Sequence, residues 1–146
     1  MAHIRSMLLC DHAQVREGLL FVTSGGITRL AVPGPDSPVQ FHLAGQLEIP
    51  AGEQGRTHTI DMKVTSAGSA TDVWRATMTI TTPESSDQLF PGESTIVPFA
   101  VLVGPFLTPD AGPHDLKVSV DDTETVLSTF YVLHAAAAGS PPIPSD

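Results

Sequence analysis

Cysteine, aromatic residues and charge are all in short supply in this chain, and each shortage removes a class of function. Cys10 is the one cysteine among 146 residues, so no disulfide closes within the chain and no thiolate cluster holds zinc. Trp74 and Tyr131 are the one tryptophan and the one tyrosine, which leaves little from which to build an aromatic platform for a ligand. Only 16% of residues are charged, and seven Lys and Arg face sixteen Asp and Glu for a formal charge of −9. The basic residues Arg5, Arg16, Arg29, Arg56, Lys63, Arg75 and Lys117 are scattered along the chain. Phosphate neutralisation needs them clustered, so neither nucleic acid nor an anionic membrane is an expected partner. No apolar run approaches the ~20 residues of a membrane helix. The run Met7-Leu8-Leu9-Cys10 is too short for a secretory h-region and lacks a small-residue cleavage site, so a cytoplasmic location is expected.

Helical periodicity is missing as well, and in its place Thr, Val and Ile recur in short stretches punctuated by Gly and Pro. That is the pattern of many short strands joined by turns. In residues 39–49, Val39, Phe41, Leu43, Leu47 and Ile49 alternate with Gln40, His42, Gln46 and Glu48, as in a half-buried strand with one wet face. Residues 57–66 alternate Ile60, Met62 and Val64 against Thr59, Asp61, Lys63 and Thr65, and the segment 50–55 between these two stretches predicts a hairpin. In residues 73–82, Trp74, Ala76, Met78 and Ile80 share one face, which makes Trp74 a core residue and the three strands a meander with a Thr-rich outer side. Residues 95–103 are apolar on both faces, as in a central strand or one that meets a neighbouring subunit, and Pro98 within them implies an incomplete ladder on one edge. Leu116, Val118 and Val120, an Asp121-Asp122 turn and residues 124–133 form a closing hairpin.

Strands are also expected at 3–10, 19–23 and 27–32, with 11–17 a loop or one helical turn. The expected fold is therefore all-β, an antiparallel sandwich of about eight strands, immunoglobulin-like or jelly-roll-like, spanning residues 1–134. Four alanines and a Pro-rich remainder make 135–146 a disordered tail, since so short an alanine run does not sustain a helix.

Several constellations invite a chemical role and meet a geometric objection. Cys10, Asp11 and His12 place a thiol, a carboxylate and an imidazole within three residues. Adjacent strand residues point to opposite faces, however, and Cys10 is in phase with Ile4 and Leu8, as a buried and inert thiol would be. The histidines His3, His12, His42, His58, His114 and His134 show no His-x-His or His-x-x-x-His spacing; His42 falls on a polar face, and His58 is in phase with buried residues. Asp110, Asp115, Asp121 and Asp122 would share a calcium ion only if their loops lay at one end of the sandwich, and turn capping is the expected role. Gly25-Gly26 lacks the Lys-Ser or Lys-Thr and the helix of a phosphate loop, which leaves a turn or bulge. There is no Gly-x-Ser-x-Gly and no His-Glu-x-x-His. No catalytic, cofactor-binding or metal residue is assigned, and no cofactor is expected.

The stretch Leu8-Leu9-Cys10-Asp11-His12-Ala13, then Gly18, an apolar run and Ser24-Gly25-Gly26-Ile27, resembles the start of a family of small uncharacterised bacterial proteins. In that family an apolar strand ends in an acidic and a small residue and a Gly-Gly pair follows. Residues 111–121 and the closing Phe130-Tyr131-Val132 resemble its final section, with His114 at the usual aromatic position and Asp122-Thr123 in place of an Asp-Gly turn. The resemblance implies a β-sandwich, a domain of unknown function, and carries over no catalytic residue.

The functional expectation is a non-enzymatic binding or assembly domain whose partner is another protein or a copy of itself. It rests on the doubly apolar 95–103 and on the need of open sandwiches to cover their strand edges. The alternatives are small-molecule or carbohydrate binding on a sheet face or end loops, and an enzyme whose site is dispersed over 11–17 and 83–93.

Overall fold

A computed structural model describes residues 1–84 and 90–135. Nine strands run in the order β1 (His3–Arg16), β2 (Leu19–Gly25), β3 (Arg29–Val32), β4 (Val39–Ile49), β5 (Thr57–Ser66), β6 (Thr71–Thr81), β7 (Thr95–Phe106), β8 (Gly112–Val120) and β9 (Glu124–His134). They form two sheets, β2-β1-β4-β7 (sheet I) and β3-β9-β8-β5-β6 (sheet II). The all-β sandwich is as expected, with two changes. Nine strands replace about eight, and sheet II is mixed because β3 lies parallel to β9. The expected tail falls outside the described residues from 136 onward.

Three further expectations are corrected. The segment 11–17 is neither loop nor helix: β1 continues to Arg16 and pairs with β2 across a two-residue turn, Glu17-Gly18, with φ of 52° and 73°. Two positive φ values match the twist of the flanking strands, and glycine supplies one of them without strain. The hairpin expected from 39–66 does not form, because β4 lies in sheet I and β5 in sheet II. Both edges of β4 are taken, by β1 and β7, so the chain crosses to the other sheet and only β5 and β6 make a hairpin. Residues 95–103 belong to β7, an edge of sheet I and not a central strand. Pro98 is tolerated there because an edge strand has one side that needs no N–H donor.

The core lies between the sheets. Phe41, Leu43, Leu47 and Ile49 of β4 face Ile60 and Val64 of β5, Leu116 and Val118 of β8 and Phe130 of β9, all fully buried. Across the gap the Phe41 and Phe130 rings meet edge to face, with centroids 5.1 Å apart at 68°. His114 stacks on the Phe130 ring at 5.6 Å and 27°. Its Nδ1–H donates to the Gly112 carbonyl at 3.0 Å and its Nε2 accepts from the Thr108 hydroxyl at 2.8 Å. With both nitrogens satisfied, the imidazole packs as an aromatic ring would.

Gly45 of β4 stands opposite Phe99 of β7, whose ring lies over it. A Cβ at this position would collide with the ring, which is 2% exposed and has nowhere to retreat. Gly45→Ala is expected to lower the unfolding free energy by about 2 kcal/mol, the usual cost of overpacking. Adding Phe99→Leu should return part of the loss in urea unfolding. Additive effects of the two changes would show that the ring and the glycine are not coupled.

Candidate interaction surface

β2 reads Leu19-Leu20-Phe21-Val22-Thr23-Ser24-Gly25, seven residues with no charge and no proline. It is an edge strand. The other edges each carry a device against pairing. β3 has only four residues and is followed by Pro33 and Pro35. β6 presents Asp72 and Arg75, which form an ion pair at 3.7 Å. β7 contains Pro98 and Pro105.

The geometry of this hairpin follows from how β1 divides its partners. From His3 to Cys10 it pairs with β4, and from Cys10 to Arg16 with β2. Beyond Cys10 the hairpin leaves the plane and folds over the outer face of sheet I toward β7, giving a half-barrel. Ala13 and Leu20 thereby join Cys10, Ala44 and Ala100 in a second, small core. This second core explains why β7 is apolar on both faces. Its inner row meets the main core, while Ala100 on its outer row lies beneath the hairpin.

The cover is incomplete. Leu8 and Val22 meet beside Gly25, and both remain exposed, as do Val15 on the hairpin and Leu102 on β7. Phe21 is 49% exposed and Leu19 62%. The apolar side chains of the hairpin thus continue onto the open edge of β2.

The candidates from sequence fall elsewhere. Cys10 is fully buried, but not in phase with Ile4, because β1 shifts register between Ile4 and Ser6. It lies on the outer face under the hairpin, with Sγ–H donating to the His42 carbonyl at 3.5 Å. Burial first, then the Asp11 carboxylate, pushes the thiol pKa up. The thiol therefore stays protonated and inert. His12 packs its ring against His42 at 4.7 Å, and His42 Nδ1–H donates to the Asp11 carbonyl at 3.1 Å. Trp74 sits on the inner row of β6 opposite Val64, packed against the main core. Gly25 faces Cys10 and Gly26 leads out of β2, its N–H bonded to the Leu9 carbonyl at 2.8 Å. Among the described residues no three His, Cys, Asp or Glu side chains are grouped to hold a metal ion.

The four aspartates do not share an end. Asp110 precedes β8 and Asp121 and Asp122 follow it, separating them by roughly 26 Å of extended chain. Asp115 lies within β8, where it accepts from the Thr129 hydroxyl at 2.7 Å. The hydroxyls of Ser69 and Ser66 hold the Asp110 carboxyl below its ordinary value.

Asp121 does something that sequence spacing does not reveal. Its Oδ2 accepts from His58 Nδ1–H at 2.7 Å, its Oδ1 accepts from Thr59 N–H at 2.8 Å, and its own N–H donates to the Thr59 carbonyl at 2.9 Å. Burial pushes its carboxyl up, but the His58 and Thr59 bonds and the proximity of His58 outweigh this and leave the pKa lowered. A carboxylate orienting an imidazole is half of a hydrolytic triad. Here the other half is missing: His58 Nε2 is buried without a polar partner among the described residues. The pair closes the end of the β5–β8 ladder instead. Its one local signal is Asp121 at φ 50°, in a turn where the second residue, Asp122, also has positive φ.

Residues 5–133 match the pattern of a protein family described as a family of unknown function. No curated protein matches the chain.

Proposed function

The chain belongs to that family, DUF6941, and we propose that it is a non-enzymatic assembly domain that pairs with a second copy of itself through β2. The observation that carries this reading is the undefended edge: among the sheet edges of the described residues, β2 alone is long, uncharged and free of proline while exposing Leu19, Phe21 and Val22. Antiparallel pairing of β2 with its counterpart across a two-fold axis is self-complementary. It would continue sheet I into the partner, satisfy the open row of N–H and C=O groups, and cover Phe21 and Leu19. The net charge of −9 opposes association in general, and an uncharged strand is the place where that opposition is least.

An enzymatic reading has less support. The Cys10 thiol is buried and protonated, and among the described residues the imidazole that a carboxylate orients has no polar partner at its free nitrogen.

Light scattering at high micromolar concentration is expected to give the mass of a dimer. Phe21→Lys puts a charge on the exposed edge, and Val22→Pro removes a ladder donor. Each should give a monomer with an unchanged circular dichroism spectrum. A wild-type chain that is monomeric under these conditions would sink the proposal, as would dimers that persist in both variants.

A further inference from the structure

Tertiary structure reverses one reading of the composition: the basic residues are not all scattered. On the outer face of sheet II, Lys63 of β5 stands directly opposite Arg75 of β6 on one side and Lys117 of β8 on the other. Three of the seven Lys and Arg in an acidic chain therefore form one row across three adjacent strands. Like charges directly opposite on paired strands repel and destabilise the sheet. Nothing in the fold calls for the arrangement, since this face packs on no other element of the described structure. Arg75 is paired only loosely, with Asp72 at 3.7 Å and with its side chain 70% exposed. Among the described residues Lys63 and Lys117 form no ion pair.

The row lies in an open cleft of about 600 Å³, a size suited to a small molecule. Beside the three cations the cleft is lined by Asp61, Asp122, Thr77, Ser119 and Thr125, and among the described residues no aromatic side chain lines it. One Asp61 oxygen accepts from the Thr77 hydroxyl, which holds that carboxylate in place. The cations suit a doubly charged phosphoryl group, with Arg75 offering a planar fork and the lysines point charges. The two carboxylates accept hydrogen bonds from neutral hydroxyls and repel a second anion. The absence of an aromatic surface disfavours a nucleobase.

We propose that this cleft binds a small polyhydroxylated phosphate ester, a sugar phosphate by chemical class. The phosphoryl group sits over Lys63 between Arg75 and Lys117, and ligand hydroxyls reach Asp61 and Asp122. The site is on sheet II and the β2 edge on sheet I, so the two proposals stand or fall separately: Phe21→Lys should leave ligand binding unchanged.

The test is calorimetry on the full chain with glucose 6-phosphate, inorganic phosphate and glucose at one matched ionic strength. Glucose 6-phosphate is expected to bind most tightly, phosphate more weakly and glucose not measurably. Lys63→Gln and Lys117→Gln should each weaken glucose 6-phosphate about tenfold or more, as loss of a charge-assisted hydrogen bond does. Arg56→Gln, in the loop before β5, should have no effect. Equal affinity for phosphate and glucose 6-phosphate would mean an adventitious anion only and overturn the assignment. So would the absence of binding, or binding that survives both lysine substitutions in variants whose spectra show an intact fold.

Discussion

Phe130→Ala is expected to lower the free energy of unfolding by about 4 kcal/mol, the range for removing a fully buried aromatic side chain. Phe130 is 0% exposed and belongs to β9, yet its ring touches both halves of the sandwich. It meets Phe41 of sheet I edge to face and carries the His114 ring of sheet II on its own face. Truncation would remove the transfer free energy of the ring, break both aromatic contacts and leave a void between two hydrogen-bonded sheets that close poorly around it. For a chain of this size the loss corresponds to a fall of roughly 10 °C or more in the thermal midpoint. Leu127→Ala on the same strand is the control, because Leu127 is 54% exposed and a surface change of this kind costs about 0.5 kcal/mol. Urea unfolding measures both. If the two variants lost the same amount, Phe130 would not be the bridge between the sheets.

Asp121→Ala is expected to cost about 2 kcal/mol at neutral pH, and the cost should fade in acid. The substitution leaves the His58 Nδ1–H, on a side chain only 3% exposed, and the Thr59 N–H without their acceptor, and an orphaned buried donor carries a penalty of about 1–3 kcal/mol. Asp121 itself is 36% exposed, so water offsets part of that penalty on the outer side. The pH dependence follows from the direction of its pKa. The folded carboxyl is held below its ordinary value, so the unfolded chain binds the proton more readily. The contribution to stability is complete well above the unfolded value of about 3.9 and is lost as pH falls through the lower folded value. Wild-type stability should therefore drop on acidification more steeply than that of the variant, and the two curves should converge near the bottom of the range. Glu53 has the same sign: its bond to the N-terminal ammonium and its bond to the Ala2 N–H lower its pKa against the opposing effect of desolvation. It contributes to the acid loss in both proteins. Parallel curves from pH 7 to pH 3 would contradict the role given to Asp121.

How much of this was legible in the sequence depended on how far each feature reaches along the chain. The alternation in Val39–Ile49 and Thr57–Ser66, the face that turns Trp74 toward the core and the closing hairpin of β8 and β9 were all determined by residues a few positions apart, whereas the burial of Cys10 was not: Ile4 lies out of phase with it, and Ala13, Leu20, Ala44 and Ala100 pack around it. Strand geometry sends every second side chain the same way, and a local pattern of apolar and polar residues is enough to say which way is in.

Only the tertiary structure decided which strands became neighbours. That β4 and β5 go to opposite sheets depended on β1 and β7 having taken both edges of β4. That β3 runs parallel to β9 depended on which edge of sheet II was open. The fold of the β1–β2 hairpin over Ala44 and Ala100, the meeting of His58 with Asp121 and the row of Arg75, Lys63 and Lys117 all follow from register between strands far apart in sequence. Backbone hydrogen bonding is indifferent to side-chain identity, so a strand's own residues specify its faces but not its partner. The partner is chosen by the competition of all strands for the available edges and for burial in one common core.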